Sequence, residues 1–141
     1  MSDMEYAKIL SANVQDIKPS GIRKFFDMLS GMDDVVGLTV GEPDFVTPWH
    51  IRVAGIESLE KGKTYYTANA GLADLRREIA AYLERRFDLR YDPATEIVVT
   101  VGGSEAIDLT MRALIEPGDE VIVPQPSFVC YGPIAELAHG K

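Results

Sequence analysis

The apolar positions of this chain change period along its length, and each change predicts a change of element. Leu72, Leu75, Ile79, Tyr82 and Leu83 recur at the spacing of one helical face, which predicts an amphipathic helix ended by the loop from Asp88 to Pro93. Ile97 to Val101 is β-branched throughout, and so is Val121-Ile122-Val123. Runs that are apolar on both faces predict buried parallel strands. Between them Ile107, Met111, Leu114 and Ile115 form a second helical stripe, predicting a helix over 104–115. Residues 97 to 123 therefore read as a strand, helix, strand unit, and the fold class as α/β with a mainly parallel sheet covered by helices.

The signals before residue 72 are shorter. Residues 1 to 20 read as an arm or irregular lead-in punctuated by Lys18-Pro19-Ser20-Gly21, and a short amphipathic helix is expected from about Ile22 to Ser30, stopped by Gly31. Val35 to Val40 predicts a short strand closed by Gly41-Glu42-Pro43-Asp44-Phe45, a pentapeptide incompatible with regular structure. Thr47 is the expected cap of a helix that carries Pro48 in its first turn and runs to Lys61, before Gly62. A loop bearing Tyr65 and Tyr66 follows. No internal repeat is present.

Chemistry concentrates at Thr100-Val101-Gly102-Gly103-Ser104-Glu105-Ala106, where a strand pattern ends in two glycines and a helix pattern begins. Glycines permit a tight turn and close approach of a ligand. The first N–H groups of the helix lack intrahelical partners and lie at the positive end of its macrodipole, so an anion is the natural guest. The turn alone does not name the anion. Ligands of parallel sheets bind beyond the carboxyl ends of strands, which is where residues 102–105 and the loop from Pro124 to Tyr131 both fall.

Composition narrows the options. The net charge of −8 argues against nucleic acid or anionic membrane as partner, since both require clustered cations. Arg76-Arg77 and Arg85-Arg86 alternate with Asp74, Glu78 and Glu84 and read as a solvated helix face. The single cysteine, Cys130, permits no internal disulfide and reads as a small packing residue in a protein of a reducing compartment. His50 and His139 lack partners at metal-ligand spacing, so no metal site is expected. The acidic start Met1-Ser2-Asp3-Met4-Glu5 lacks the plan of a signal peptide and no apolar run is long enough to span a membrane, which predicts a cytoplasmic protein.

Five segments, in order, carry a resemblance to a known family. They are Gly41-Glu42-Pro43-Asp44-Phe45, Tyr66 to Gly71 with Leu75-Arg76, Gly102 to Ala106, Pro117-Gly118-Asp119-Glu120-Val121, and Pro126-Ser127-Phe128-Val129-Cys130-Tyr131. From about Ile17 onward the chain resembles the fold type I, pyridoxal-phosphate-dependent aminotransferases of the aspartate and aromatic group. The resemblance implies part of a three-layer large domain beginning near residue 46, preceded over residues 1–45 by an arm and small-domain segment. It implies that the amides of Gly103, Ser104 and Glu105, with the Ser104 hydroxyl, hold the phosphate of pyridoxal 5′-phosphate, and that Phe128 stacks on its ring. Tyr66 is implied to reach the phosphate bound by a partner subunit of a homodimer, Gly41 to approach the substrate carboxylate, and Ile17 to line the substrate entrance.

In this family the Schiff-base lysine, the aspartate facing the pyridinium nitrogen and the arginine that grips the substrate carboxylate lie well beyond the phosphate turn. None of the six lysines here matches that setting, and Ser58-Leu59-Glu60-Lys61 fits a serine-lysine string only by coincidence. The chain is thus expected to represent the first third of an aminotransferase moving an amino group between an amino acid and a 2-keto acid, and to be inactive alone. Two alternatives stay open: a pyridoxal-phosphate-dependent carbon–sulfur β-lyase of the same fold, and a non-catalytic, aminotransferase-like effector-binding module.

Overall fold

A computed structural model describes residues 8–29, 31–32, 34–36, 41 and 43–141. Six helices order the described chain: α1 (Ala12–Gln15), α2 (Ile22–Leu29), α3 (Trp49–Glu60), α4 (Ala73–Phe87), α5 (Gly102–Leu114) and α6 (Tyr131–Leu137). They belong to two compact units, Met1–Ser30 with Thr100–Lys141, and Gly31–Val99. No described helix is long and apolar enough to cross a membrane.

In the first unit α6 packs against α5 and α1 and carries the best-buried side chains. Ile134, Ala135 and Ala138 retain 5–8% of their accessible surface. Two alanines on that face let neighbouring backbone come close, and Gly140 extends the effect. A methyl group added at Gly140 meets Ile115 Cγ2 at 3.1 Å and Val121 Cγ2 at 3.2 Å. The sequence pattern did not announce α6, because Gly132-Pro133 carries the signature of a chain breaker. Pro133 instead occupies the first helical turn, where a missing N–H costs nothing, and Ile134 N–H closes the helix onto Cys130 O at 3.0 Å.

Among the described residues no strand is present, and this departs from the expectations for 97–101 and 121–123. A strand exists only through a ladder with a neighbour, and here each segment finds an isolated partner instead. Val99 N–H donates to Ala70 O at 3.0 Å. Lys141 N–H donates to Asp119 O at 2.8 Å, while Val121 N–H donates to Lys141 O at 2.7 Å. That alternation, one carbonyl before and one N–H after the opposed residue, is the bonding pattern of a parallel pair. The turn leading into it brings Asp119 N–H onto Glu116 O at 3.1 Å, with Pro117 and Gly118 at its centre. The strand expected over 35–40 lies largely outside the described residues, as do Glu42 and the first seven residues of the expected arm.

In the second unit α3 starts at Trp49 with Pro48, not Thr47, as its cap. Pro48 is extended (φ −50°, ψ 140°) and its carbonyl accepts Ile51 N–H at 3.0 Å and Arg52 N–H at 3.2 Å, leaving Thr47 one residue too distant. The helix α4 ends at Asp88 in the left-handed conformation (φ 56°), followed by the turn of Asp92 to Glu96. Asp92 Oδ1 accepts Ala94 N–H at 2.8 Å and Oδ2 accepts the Thr95 hydroxyl at 2.9 Å. Glu96 Oε2 accepts Asp92 N–H at 2.6 Å. Arg76 ties this turn to α4 by donating to Pro93 O at 2.7 Å and Ala94 O at 3.1 Å. The Ala94 N–H, then the Thr95 hydroxyl and the Arg76 charge, hold the Asp92 carboxyl below the ordinary carboxylate range.

Apolar residues on both units face outward. No residue of α3, α4 or α5 is buried, and Val101, Ile122, Phe45 and Tyr66 stand almost wholly in solvent. Such faces require cover.

Three outcomes follow from these contacts. The isolated chain associates or aggregates in sedimentation velocity, and a single monomeric species with cooperative melting goes against this reading. Gly71→Ala lowers the thermal midpoint by several degrees, roughly 1–3 kcal/mol, because φ is +95° and the new Cβ falls 2.6 Å from Val99 Cβ. Val99→Ala leaves that atom in place and does not rescue it. Finally, the Asp92 carboxyl titrates below the ordinary aspartate range by NMR, and Thr95→Val moves the midpoint upward. Since folding lowers this pKa, the stability it lends is complete above the unfolded value and fades as pH falls through the folded one.

Candidate functional site

Gly102 to Glu105, expected from the sequence to receive a phosphate, lie at the start of α5, in the first unit, and the backbone explains how the chain enters that helix. Val101 has φ −78° and ψ 72°, and Gly102 N–H donates to Thr100 O at 2.9 Å. Together these describe an inverse γ-turn centred on Val101. Gly102 then takes φ +82°, a conformation that side chains rarely adopt, and the helix begins there, two residues earlier than the apolar stripe predicts. A methyl group built on Gly102 or Gly103 meets no atom within 4 Å. The space over the first turn is therefore open.

Gly103, Ser104 and Glu105 fall among the first four residues of α5, whose N–H groups have no acceptor inside the helix. No side chain caps the helix, and Gly103, Ser104 and Glu105 are all exposed. Two side chains brace the turn from outside. Thr100 Oγ1 donates to Gly102 O at 2.9 Å, and the Glu105 carboxylate accepts the N–H of Val101. Sequence reasoning used only the backbone of Glu105 and missed this side-chain bond. Its one signal was an acid within the first turn of a predicted helix, a pattern typical of helix starts. Farther along α5 Arg112 Nε donates to Asp108 Oδ2 at 2.8 Å, an i,i+4 pair that leaves the first turn without a cation of its own.

Phe128 belongs to the same unit, in the segment before α6. It is half-exposed and meets Tyr131 edge to face, with ring centroids 5.6 Å apart and planes at 77°. Tyr131 N–H donates to Phe128 O at 3.2 Å, so the aromatic pair is fixed by the start of α6. Ile17 lines a groove of about 700 Å³ with Phe25, Cys130, Pro133, Ile134 and Leu137. Cys130 is a free, half-buried thiol in that apolar wall.

Gly41 and Tyr66 lie in the second unit. Gly41 is exposed with no atom within 4 Å of an added Cβ, and Tyr66 projects fully into solvent. The structure accordingly gathers Gly103, Ser104 and Glu105 on one helix end, and places Phe128 and Ile17 in the same unit. No group of three His, Cys, Asp or Glu side chains capable of holding a metal occurs among the described residues.

Comparison with known proteins places these features. The family model for aminotransferase class I and II matches residues 33–141. YugH of Bacillus subtilis, named as an aminotransferase, is 59% identical over 131 residues, covering 93% of this chain and 34% of that protein. The aspartate aminotransferase of Pyrococcus abyssi is 43% identical over 132 residues, covering 94% of this chain and 34% of its own length. The crystal structure of the aspartate aminotransferase from Rhizobium meliloti superposes with a TM-score of 0.85 at 33% identity, over 94% of this chain and 34% of that one. The chain spans about a third of the length of the curated relatives it matches. With Gly102 to Ala106 inside the matched region, the chain belongs to the class I and II aminotransferases, a family of pyridoxal-5′-phosphate-dependent transferases.

Proposed function

We propose that this chain supplies the phosphate anchor and ring-facing aromatic of an aminotransferase that moves an amino group between an amino acid and a 2-keto acid. The observation that carries this reading is the open, uncapped first turn of α5, entered through Gly102 at φ +82°. A phosphate fits there on three counts. The amides of Gly103, Ser104 and Glu105 need acceptors, the Ser104 hydroxyl adds a donor, and no side chain fills the space above the glycines. The helix dipole favours the same charge.

Pyridoxal phosphate, when bound, supplies the electron sink for chemistry at the substrate's α-carbon. The chain's own residues supply orientation. The α5 amides and Ser104 would hold the phosphate end, and Phe128, braced by Tyr131, would stack on the pyridine ring. Tyr66, whose phenol is free of cover in this unit, donates a hydrogen bond to the phosphate bound by the second subunit of a homodimer. Gly41 offers backbone without a side chain where the substrate carboxylate approaches, and Ile17 forms part of the apolar wall at the substrate entrance. The lysine that joins the cofactor lies outside these 141 residues, and the chain alone transfers no amino group.

Two measurements test this. A preparation shown by intact mass to contain only these residues produces no keto acid from any amino acid supplied with cofactor, and measurable transfer from it refutes the assignment. In the full-length protein Ser104→Ala weakens pyridoxal phosphate about ten- to hundredfold, the range for one lost hydrogen bond to an anion, and leaves affinity for phosphate-free pyridoxal unchanged. Equal weakening of both ligands removes Ser104 from the phosphate site.

A further inference from the structure

The first turn of α5, where an anion is proposed to bind, itself carries a carboxylate. The Glu105 side chain does not cap its own helix. Its carboxylate accepts the N–H of Val101, the residue before α5, while the Thr100 hydroxyl engages the Gly102 carbonyl. Both bonds brace the inverse γ-turn and neither uses an amide of Gly103, Ser104 or Glu105. The turn is held in shape while its ligand-facing donors stay free. Held in advance, it loses less conformational freedom when an anion arrives.

The same side chain carries a cost. Its negative charge lies within one turn of the amides that would receive a phosphate, itself bearing about −1.5 to −2 near neutral pH. The basic group of α5, Arg112, sits in the last turn and is engaged by Asp108. No side chain within the first turn offsets the repulsion.

We infer that Glu105 is a positioning residue of the phosphate turn with two opposed effects: its hydrogen bond pre-forms the turn, and its charge weakens the anion bound there. This rests on the phosphate-anchor reading above. Substitution separates the two effects, because Gln keeps an acceptor for Val101 N–H without the charge, and Ala removes both. The test uses the cofactor-free, full-length protein titrated with inorganic phosphate, pyridoxal phosphate and phosphate-free pyridoxal, with thermal midpoints recorded for each variant. Glu105→Gln tightens inorganic phosphate and pyridoxal phosphate about three- to tenfold at low salt, the difference shrinks in high salt, and pyridoxal is unaffected. Glu105→Ala binds phosphate about two- to tenfold more weakly than Glu105→Gln, the range for one hydrogen bond at equal charge. Phosphate affinity in Glu105→Gln equal to or below wild type, or a salt dependence unchanged by the substitution, overturns the charge effect. Equal affinities in the Gln and Ala variants overturn the bracing effect. If the Ala variant does not fold, the Gln variant and its salt dependence decide alone. A wild-type protein that binds pyridoxal as well as pyridoxal phosphate and ignores inorganic phosphate refutes the anchor reading itself, which distinguishes that failure from one confined to Glu105.

Discussion

The donors left over at the start of α5 are the constraint on which this structure turns. A helix must expose N–H groups at its first turn, and their partners come from a cap, water or a ligand. In this chain the capping choices are declined. Val101 offers no polar side chain, Gly102 and Gly103 have none, and the Glu105 and Thr100 side chains attach to Val101 N–H and Gly102 O. The left-handed Gly102 makes this arrangement possible, since the γ-turn at Val101 delivers the chain at an angle that a side chain would oppose. Local covalent geometry, not a distant contact, keeps the amides available.

The surroundings of that turn follow from packing around α6. Ile134, Ala135 and Ala138 give the first unit its most buried face, and Gly140 lets the chain pass close to Ile115 and Val121. The same element fixes Phe128 through Tyr131, so the helix that organises the small core also orients the aromatic nearest the proposed cofactor ring. The bonding of Asp119 and Val121 with Lys141 is that of a parallel pair one bridge long. Many apolar side chains stay uncovered beside it, in keeping with a chain that spans a third of its relatives' length.

Much of this was legible in the residues. The helices α2, α4 and α5 follow from apolar stripes at a period near 3.6, and the turn into α5 follows from glycines placed between a β-branched run and a helical one. The family itself was legible because five short motifs fall in order, each tied to a local backbone need such as a tight turn or a helix start. Where the reading failed, two local signals competed. Gly132-Pro133 concealed α6, and Pro48 displaced Thr47 as the cap of α3, because proline's place relative to the first helical turn decides whether it breaks or begins a helix.

The sequence by itself determined that α2, α3, α4 and α5 turn into helices and which family shares these motifs, because each depends on residues adjacent in the chain. Tertiary structure decided the rest. Only folding shows that Glu105 reaches back to Val101, that Gly71 has no room beside Val99, and that 97–101 and 121–123 find single hydrogen-bonded partners where ladders were expected. These depend on which groups meet in space, and neither a hydrogen bond between side chain and backbone nor a strand's neighbour is specified by the residues of one segment.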